Sequence, residues 1–338
     1  MIKSKVTITD IARHLNVSVA LVSLVLTDKW KENRISKELA ERVNESAKQL
    51  GYKPNVVAQA LRTGKSGIIG LIIADISNPF YSIIVRIIEV EAEKAGYEVM
   101  FGSSEEQLSK FIKVGETLIS RQVDGLIVVP VVGSGDILSS WKARNIPIIT
   151  IDRFIPDIKV PYVGNNNYQG SLAVTEFLVQ KGYKEISFIT NDSGLSNFKE
   201  RENGFLDCLK QNTRDHISYS VFKVSYSNNW RKELRTLMKL LLKSSTRVIY
   251  FGQNMLGIEG LRICKELDIS IPADIPIVSY DNPEIFEIYK PGITCYEQPI
   301  TEMAKTAVSI LIDIFSGDTL SWKYHNIIDG KLIVRESC

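Results

Sequence analysis

Short apolar runs recur along the chain after residue 66, and no other feature constrains the fold as strongly. They read GIIGLIIAD, YEVMFG, DGLIVVPV, IPIITID, EISFIT, RVIYFG and IPIVSYD. Runs of this length are typical of strands that are buried on both faces of a parallel sheet. Segments with helical spacing separate them, for example 81–95, 167–181 and 200–211. The alternation predicts a doubly wound α/β body.

Polar side chains directly follow the ends of these runs. Ligands of doubly wound sheets bind beyond the carboxyl ends of the strands, so these side chains are candidate ligand contacts. They are Asp75, Asp152, Arg153, Asn191, Asp192, Asn254 and Asp281, with the aromatic pair Phe80 and Tyr81 after the first run. Ser77, Asn78 and Asn282 stand in similar positions, but helix capping explains them at least as well.

Residues that begin and end helices predict three short helices in the first 52 positions. Thr7 and Asp10 have an approximate capping-box spacing, and Ser18 and Ser36 are further N-cap residues. Gly51 suits the end of the third helix. The predicted helices cover 8–15, 19–26 and 37–50.

The turn between the first two of these helices is short. It contains Asn16, and asparagine tolerates the left-handed conformation that a sharp turn needs. Two helices joined in this way and closed by a third form a helix-turn-helix, whose second helix enters the DNA major groove. A plain three-helix bundle fits the same pattern. Residues 1–65 carry a formal charge of +6 against +2 for the whole chain, which favours a polyanion partner.

The second predicted helix lies in an almost unbroken apolar row, NVSVALVSLVLT. Helical spacing places Leu21, Val22 and Val25 towards the core and Val19, Ala20 and Leu24 on the opposite side. A groove-facing surface with so few hydrogen-bonding groups suits contact with thymine methyl groups.

The segment YKPNVVAQALRTGKSG follows the third helix. Pro54 ends that helix, and Asn55 is placed to cap a further short helix over 56–62. Leu61, flanked by Arg62 and Lys65, suits an apolar wedge in the DNA minor groove. A linker helix packed on the body is an equally good explanation of the residues alone.

Length and composition exclude several classes of protein. At 338 residues, two or three domains are expected. No apolar run approaches the roughly 18–20 residues that span a bilayer, and the N-terminus lacks the apolar stretch of a signal peptide. The four cysteines are widely spaced, which indicates a reduced, cytoplasmic protein without a disulfide framework or zinc site.

Motifs of catalysis and cofactor binding are missing from the sequence. Neither GxGxxG nor GxxxxGK[ST] occurs, and the three histidines are scattered. The sequence therefore predicts no enzyme, no cofactor and no metal site.

Several motifs in order resemble one family over nearly the whole chain. VTITDIARHLNVSVALVSLVL, LGYKPNVVAQALRTGKS, IGLIIADISNPFY, GLIVVP, IPIITIDR, RENGF, IPIVSYDNPEI and ITCYEQPI are similar to segments of the lactose-repressor (LacI/GalR) family of bacterial transcription regulators. The resemblance implies a DNA-reading head at 1–54, a hinge helix at 55–65 and a two-lobed effector and dimerisation domain at 66–338. The lobes are expected at 66–164 with 294–322, and at 165–293 with 323–338. This body would be similar to periplasmic sugar-binding proteins.

The resemblance also implies site residues. Those expected to contact DNA are Thr7, Ser18, Val19, Ala20, Ser23, Leu24, Lys31, Arg34, Asn55, Ala58, Leu61 and Arg62. Those expected to contact the effector are Asp75, Phe80, Tyr81, Arg153, Asn191, Arg201, Tyr226, Asn254 and Asp281. Gln253 is an alternative to Asn254.

The implied function is a repressor that binds a near-palindromic operator as a homodimer. The implied effector is a sugar or sugar acid, with a nucleobase as the alternative, and it either releases or promotes DNA binding. A solute-binding protein for transport would have a similar body, but it would lack the head. No heptad tail follows the last strand-like segment, so a dimer is expected rather than a tetramer.

Three positions and one connecting stretch depart from the family pattern. Asn16 replaces a frequent glycine, and Leu24 replaces a usual arginine. The stretch TDKWKENRIS lengthens the connection to the third helix, and its Trp30 either supports phosphate contacts or packs on the head. Asn166 stands near a family aspartate, which removes a potential charged acceptor. The departures concern which bases and which effector are recognised.

Overall fold

The computed structural model describes residues 6–52, 64–156, 158–212, 216–225, 229–244, 246–318 and 323–338. The chain separates into two compact units, Met1–Ser66 and Gly67–Cys338, here named the head and the body. The predicted hinge helix, with Asn55, Ala58, Leu61 and Arg62, lies outside the described residues.

Three helices form the described part of the head: α1 (Ile8–Leu15), α2 (Val19–Leu26) and α3 (Lys37–Gln49). Ser18 Oγ accepts a hydrogen bond from the Leu21 N–H at 3.2 Å and so begins α2. The Asp10 carboxylate accepts the Thr7 N–H at 2.9 Å. Asn16 takes the left-handed conformation, with φ 53° and ψ 47°. The α1 and α2 axes bend by 113° across this turn, which confirms the predicted helix-turn-helix.

A small apolar core holds the three helices of the head together. Its buried members are Ile11, Ala12, Val22, Val25, Ala40, Val43 and Ala47. Trp30 packs against this core, and its Nε1–H donates to Asp28 Oδ1 at 2.9 Å. Of the two roles considered for Trp30, the structure therefore shows packing on the head.

Two six-stranded sheets form the body. The first contains β1 (Ile68–Ile73), β2 (Glu98–Ser103), β3 (Gly125–Val128), β4 (Ile148–Ile151), β5 (Tyr162–Asn165) and β11 (His325–Ile328), in the order β11-β5-β4-β3-β1-β2. The second contains β6 (Glu185–Asp192), β7 (Ser218–Ser225), β8 (Val248–Phe251), β9 (Ile277–Tyr280), β10 (Thr294–Glu297) and β12 (Lys331–Ile333), in the order β12-β10-β9-β8-β6-β7. Only the β10–β12 pairing is antiparallel among those described. The predicted two-lobed α/β body is confirmed.

Helices cover both faces of each sheet. They are α4 (Pro79–Lys94), α5 (Leu108–Ser120), α6 (Gly135–Ala143), α7 (Asn167–Gln180), α8 (Ser196–Gln211), α9 (Trp230–Leu241), α10 (Asn254–Glu266), α11 (Glu284–Ile288) and α12 (Ile300–Ser316). In β1, Leu71 packs towards α4 and α12, whereas its neighbour Ile72 packs towards α5 and α6. Burial on both faces explains why the central strands are continuous apolar runs.

The chain passes between the lobes three times, after β5, after β10 and after β11. The lobe bounds expected from the sequence are wrong at two strands. Residues 294–297 form β10 of the second sheet, and residues 325–328 form β11 of the first. Both strands have four residues and border a crossing point, so the local pattern does not indicate which sheet they join.

Candidate effector cleft and DNA-reading helix

A cavity of about 20 Å³ lies between the lobes, at the carboxyl ends of their strands. Its walls are Asn78, Phe80, Tyr81, Asp152, Arg153, Asn197, Phe198, Arg201, Gln253, Asp281 and Gln298. All of these residues are at least nine-tenths buried. The volume suffices for about one water molecule, so the two lobes are closed on each other.

Arg153 follows β4 and lies at the first-lobe wall of the cavity. Its Nη1 donates to Glu106 Oε2 at 2.7 Å and its Nη2 donates to Glu106 Oε1 at 2.6 Å. Nη1 also donates to the Pro130 carbonyl at 3.1 Å, and Nη2 to the Tyr81 hydroxyl at 2.9 Å. Burial raises the pKa of the neighbouring Asp152, although Arg153 favours its charged form. The first lobe thus presents a buried, internally paired charge cluster.

Arg201 lies at the opposite wall, in the second turn of α8. Its guanidinium stacks on Tyr280 with 3.7 Å between the guanidinium carbon and the ring centre. Its Nε donates to Asn167 Oδ1 at 2.9 Å and its Nη1 to the Gly252 carbonyl at 2.8 Å. These contacts fix a cation and an aromatic surface next to the cavity.

Gly204, in the same RENGF motif, lets α8 approach α7 closely enough for this arrangement. A Cβ at Gly204 would lie 2.2 Å from the Tyr168 carbonyl oxygen of α7. The glycine therefore explains why the motif carries Arg201 to the cavity wall.

Asp281 follows β9 and organises the rest of the second-lobe wall. Its Oδ2 accepts the Asn254 N–H at 3.0 Å, and its Oδ1 accepts a short hydrogen bond from Gln298 Nε2. Gln298 Oε1 is buried and has no hydrogen-bond partner. Gln253 Nε2 donates to Asn191 Oδ1. Asp281 and Gln298 therefore leave acceptor capacity at the cavity.

Direct hydrogen bonds join the lobes around the cavity. Asn254 Nδ2 donates to Asn78 Oδ1 at 2.7 Å, and Asn165 Nδ2 donates to the Tyr280 hydroxyl at 2.6 Å. Ser196 Oγ accepts the Phe154 N–H and donates to the Phe154 carbonyl, both at 3.2 Å. Separation of the lobes breaks such bonds.

The structure brings some of the expected effector residues together and not others. Phe80, Tyr81, Arg153, Arg201 and Asp281 line the cavity. Asn254 and Asn191 are buried behind it as hydrogen-bond partners of cavity residues. Asp75 accepts hydrogen bonds from Ser77 in the β1–α4 turn instead. Tyr226 lies outside the described residues.

Three lining residues, Asn197, Phe198 and Gln298, are not indicated by the sequence. Three others are candidates from the sequence: Asp152 at a strand end, Gln253 as the alternative to Asn254, and Asn78 as a helix cap or ligand contact. Asn78 does cap α4 as expected, since its Oδ1 accepts the Phe80 N–H at 3.0 Å. Asn282 does not cap a helix, because its Nδ2 donates to Glu297 and its Oδ1 accepts from Arg335. Asp152 directly follows β4 and Gln253 lies two residues after β8, which is the signal that made them candidates.

The outer surface of α2 has the apolar character expected from its sequence. Val19 is 38% exposed, Ala20 is exposed, and Leu24 is half-buried and outside the head core. Ser23 lies on the same helix, and its carbonyl accepts the Thr27 hydroxyl at 2.7 Å. The Lys31 ammonium lies 5.4 Å from the Trp30 ring centre.

Neither a metal-binding cluster nor a single membrane-spanning helix occurs among the described residues. No group of three or more His, Cys, Asp or Glu side chains there is arranged to hold a metal ion. No single described helix is long and apolar enough to cross a membrane, and α1 with α2 meets that criterion only as a pair, across the bend.

The head and the body each match a known protein family. Residues 7–55 match the lacI family of bacterial regulatory proteins, and residues 175–338 match the periplasmic binding protein-like domain. The chain is 30% identical over 334 residues to the ribose operon repressor of Halalkalibacterium halodurans, covering 98% of this chain and 96% of that protein. It is 29% identical to the sucrose operon repressor of Streptococcus mutans, covering 90% and 91% of the two chains.

Solved structures agree with this match. The lac repressor dimer bound to operator and the anti-inducer ONPF has the same fold, with a TM-score of 0.84, 21% identity and 99% of both chains covered. A periplasmic binding protein/LacI transcriptional regulator from Alkaliphilus metalliredigens, complexed with D-xylulofuranose, has a TM-score of 0.70 and 26% identity, covering 80% of this chain and 98% of that one.

The helix-turn-helix and the buried cleft together define a ligand-responsive transcription regulator. The chain belongs to the LacI family. It is a DNA-binding transcriptional repressor with a periplasmic-binding-protein-like effector domain, and not an enzyme. The family resemblance carried by the sequence motifs is confirmed.

Proposed function

We propose that the chain is a homodimeric repressor in the bacterial cytoplasm whose affinity for a near-palindromic operator is controlled by a sugar bound between the lobes. The observation that carries the proposal is the buried cavity, which combines aromatic rings, two arginines and two aspartates.

The chemistry of the cavity supports a sugar as effector. Sugars present apolar C–H faces and many hydroxyl groups, which suit aromatic rings and multidentate polar side chains respectively. Phe80 and Phe198 supply rings, and Asp281 and Gln298 supply acceptors. The relatives named for ribose and sucrose operons and the relative bound to D-xylulofuranose support the same class.

The closed cleft supports a coupling between effector and DNA. The space of about 20 Å³ among the lining side chains is smaller than a sugar ring. Admission of a sugar therefore moves these side chains or the lobes, or uses the cavity of about 520 Å³ that Asp281 and Gln298 also line. Separation breaks the Ser196–Phe154 and Asn254–Asn78 hydrogen bonds. An effector that prefers one lobe arrangement shifts its population, and the pairing of the heads on DNA responds to that shift.

An exposed apolar surface on the first lobe supports the homodimer. Phe101 is 49% exposed, Val132 60% and Ile76 42%. The Ile76 N–H donates to Ser103 Oγ at the end of β2, next to Phe101. Leu108, 38% exposed, lies against Gly133, next to Val132. A second copy of the chain is the partner that this surface suits, because a symmetric repressor covers the same patch on both protomers.

Paired heads would read the operator through α2. Val19, Ala20 and Leu24 are the proposed groove contacts, with Thr7, Ser18, Ser23, Lys31 and Arg34 as further DNA contacts. Two-fold symmetry of the dimer makes the operator near-palindromic. The proposed wedge Leu61, with Asn55, Ala58 and Arg62, would contact the operator centre.

A thermal-shift screen of the full chain tests the effector class. Neutral sugars, sugar acids and purines are added separately, because a ligand that binds the native state raises the melting temperature. A stabilising sugar must then change operator affinity in a gel-shift titration. Stabilisation by a purine and by no sugar would replace the sugar with a nucleobase.

A further inference from the structure

We infer that the effector is an uncharged sugar, not a sugar acid or sugar phosphate, and that Glu106 determines this preference. The inference rests on the proposed sugar effector and narrows its chemical class. It follows from how the arginine of the first lobe is used inside the protein.

The terminal nitrogens of Arg153 are fully used by the protein. Each nitrogen carries two hydrogens; Nη1 donates to Glu106 and to the Pro130 carbonyl, and Nη2 donates to Glu106 and to Tyr81. Carboxylates and phosphates are recognised by arginine through paired N–H groups. Glu106 already occupies that pair, so Arg153 offers no such fork to an anionic ligand.

The Nε–H of Arg153 is different, because it is buried without a hydrogen-bond partner. It forms an ion pair with Asp152, whose Oδ2 lies at 3.5 Å, so this N–H also offers no free donor to an anionic ligand.

The charges around the cavity also favour an uncharged ligand. The lining residues carry two cations, Arg153 and Arg201, and two anions, Asp152 and Asp281. Glu106 adds a further negative charge through its pairing with Arg153. The net charge of these five side chains is not positive, even when Asp152 is protonated. A buried anionic ligand would therefore lack compensating charge.

The Glu106–Arg153 pair belongs to the first lobe alone. Glu106 lies between β2 and α5, and Arg153 follows β4 of the same sheet. Lobe separation therefore leaves the pair intact. Glu105 and Glu106 both have positive φ, 49° and 58°, a conformation that non-glycine residues seldom adopt. Such a backbone persists only where its surroundings hold it, and for Glu106 the paired arginine is part of those surroundings.

Calorimetry with matched ligands tests the inference. The full chain is titrated with D-ribose, D-xylulose, D-glucose and sucrose, and with D-ribonate, D-gluconate and D-ribose 5-phosphate. The expected result is binding of at least one neutral sugar, with every sugar acid and the sugar phosphate at least tenfold weaker. A sugar acid or phosphate that binds more tightly than every neutral sugar overturns the inference. Binding of none of these ligands refutes the proposed sugar effector itself, and the inference with it.

Glu106→Gln separates charge from structure. Removal of one negative charge beside the cavity should raise the affinity for the anion relative to its neutral counterpart at least tenfold. Glu105→Gln is the matched control, because Glu105 has the same backbone conformation but pairs with Lys110 on the surface. In this control, the ratio of the affinity for the anion to the affinity for the neutral sugar should stay within about twofold of its value in the unaltered chain.

The ratio of these two affinities also distinguishes a role of Glu106 in ligand preference from a general loss of structure. Equal weakening of both ligands by Glu106→Gln would show that the residue only supports the fold and would remove its proposed role. If that variant does not fold, the ligand preference of the unaltered chain still decides the effector class.

Discussion

Substitution of Gly204 by alanine perturbs the helix pair that carries Arg201. The new Cβ would lie 2.2 Å from the Tyr168 carbonyl oxygen and 3.1 Å from the Leu172 amide nitrogen. Both atoms belong to the backbone of α7, so a rotamer change cannot relieve the overlap. The two helices must move apart by about 1 Å to restore an ordinary contact.

This movement has a cost in stability and a consequence for the cavity. Overpacking of this kind costs about 1–3 kcal/mol, which lowers the melting temperature by about 2–10 °C in a domain of this size. The 2.9 Å bond from Arg201 Nε to Asn167 Oδ1 joins the same two helices. Its loss costs about 1.5–3 kcal/mol and displaces Arg201 at the cavity wall, so effector binding should weaken about tenfold or more.

Differential scanning fluorimetry and calorimetry of the full chain measure the two effects. Gly135→Ala is the control, because Gly135 begins α6 and its new Cβ would meet its nearest neighbours at 3.8 Å. That variant should melt at or slightly above the original temperature. A Gly204→Ala protein that melts within about 1 °C of the original and keeps its effector affinity would refute the close-packing account.

Further substitutions test the head, the dimer and the cleft. Leu24→Arg should create a preference for guanine at one operator position, worth about 1–3 kcal/mol; an unchanged consensus from randomised duplexes would argue against a groove-facing Leu24. Phe101→Asp should convert the dimer to monomer in sedimentation velocity and weaken operator binding, and a persistent dimer would exclude that surface. Ser196→Ala removes two long hydrogen bonds to Phe154, together about 1 kcal/mol. Hydrogen exchange of the cavity-lining segments should therefore become about fivefold faster, whereas Ser244→Ala, which removes local bonds within one lobe, should not change it.

Much of the fold could be predicted from the sequence, because the central strands are buried on both faces and leave continuous apolar runs. The helix-turn-helix was equally predictable, because helix caps such as Ser18 and the turn residue Asn16 determine the structure of their own segments. The edge strand β7 was not predicted, because its exposed residues interrupt any apolar run.

The cavity was predictable only where its residues directly follow strands. Asp152, Arg153 and Asp281 satisfy that rule. Asn197 and Phe198 lie in the first turn of α8, five and six residues after the end of β6. Glu106 lies in a loop before α5, and its pairing with Arg153 depends on the order of strands in the first sheet. Such contacts between distant segments leave no local signature.

Operator binding as a function of effector tests the central proposal most directly. A duplex selected from randomised DNA by the full chain is labelled, and binding is followed by fluorescence anisotropy with and without the neutral sugar identified by calorimetry. The expected result is a near-palindromic consensus, affinity that falls steeply with salt, and a midpoint that the sugar shifts about fivefold or more. Salt-insensitive binding, or a midpoint that the bound sugar leaves unchanged, would contradict the proposed repressor mechanism.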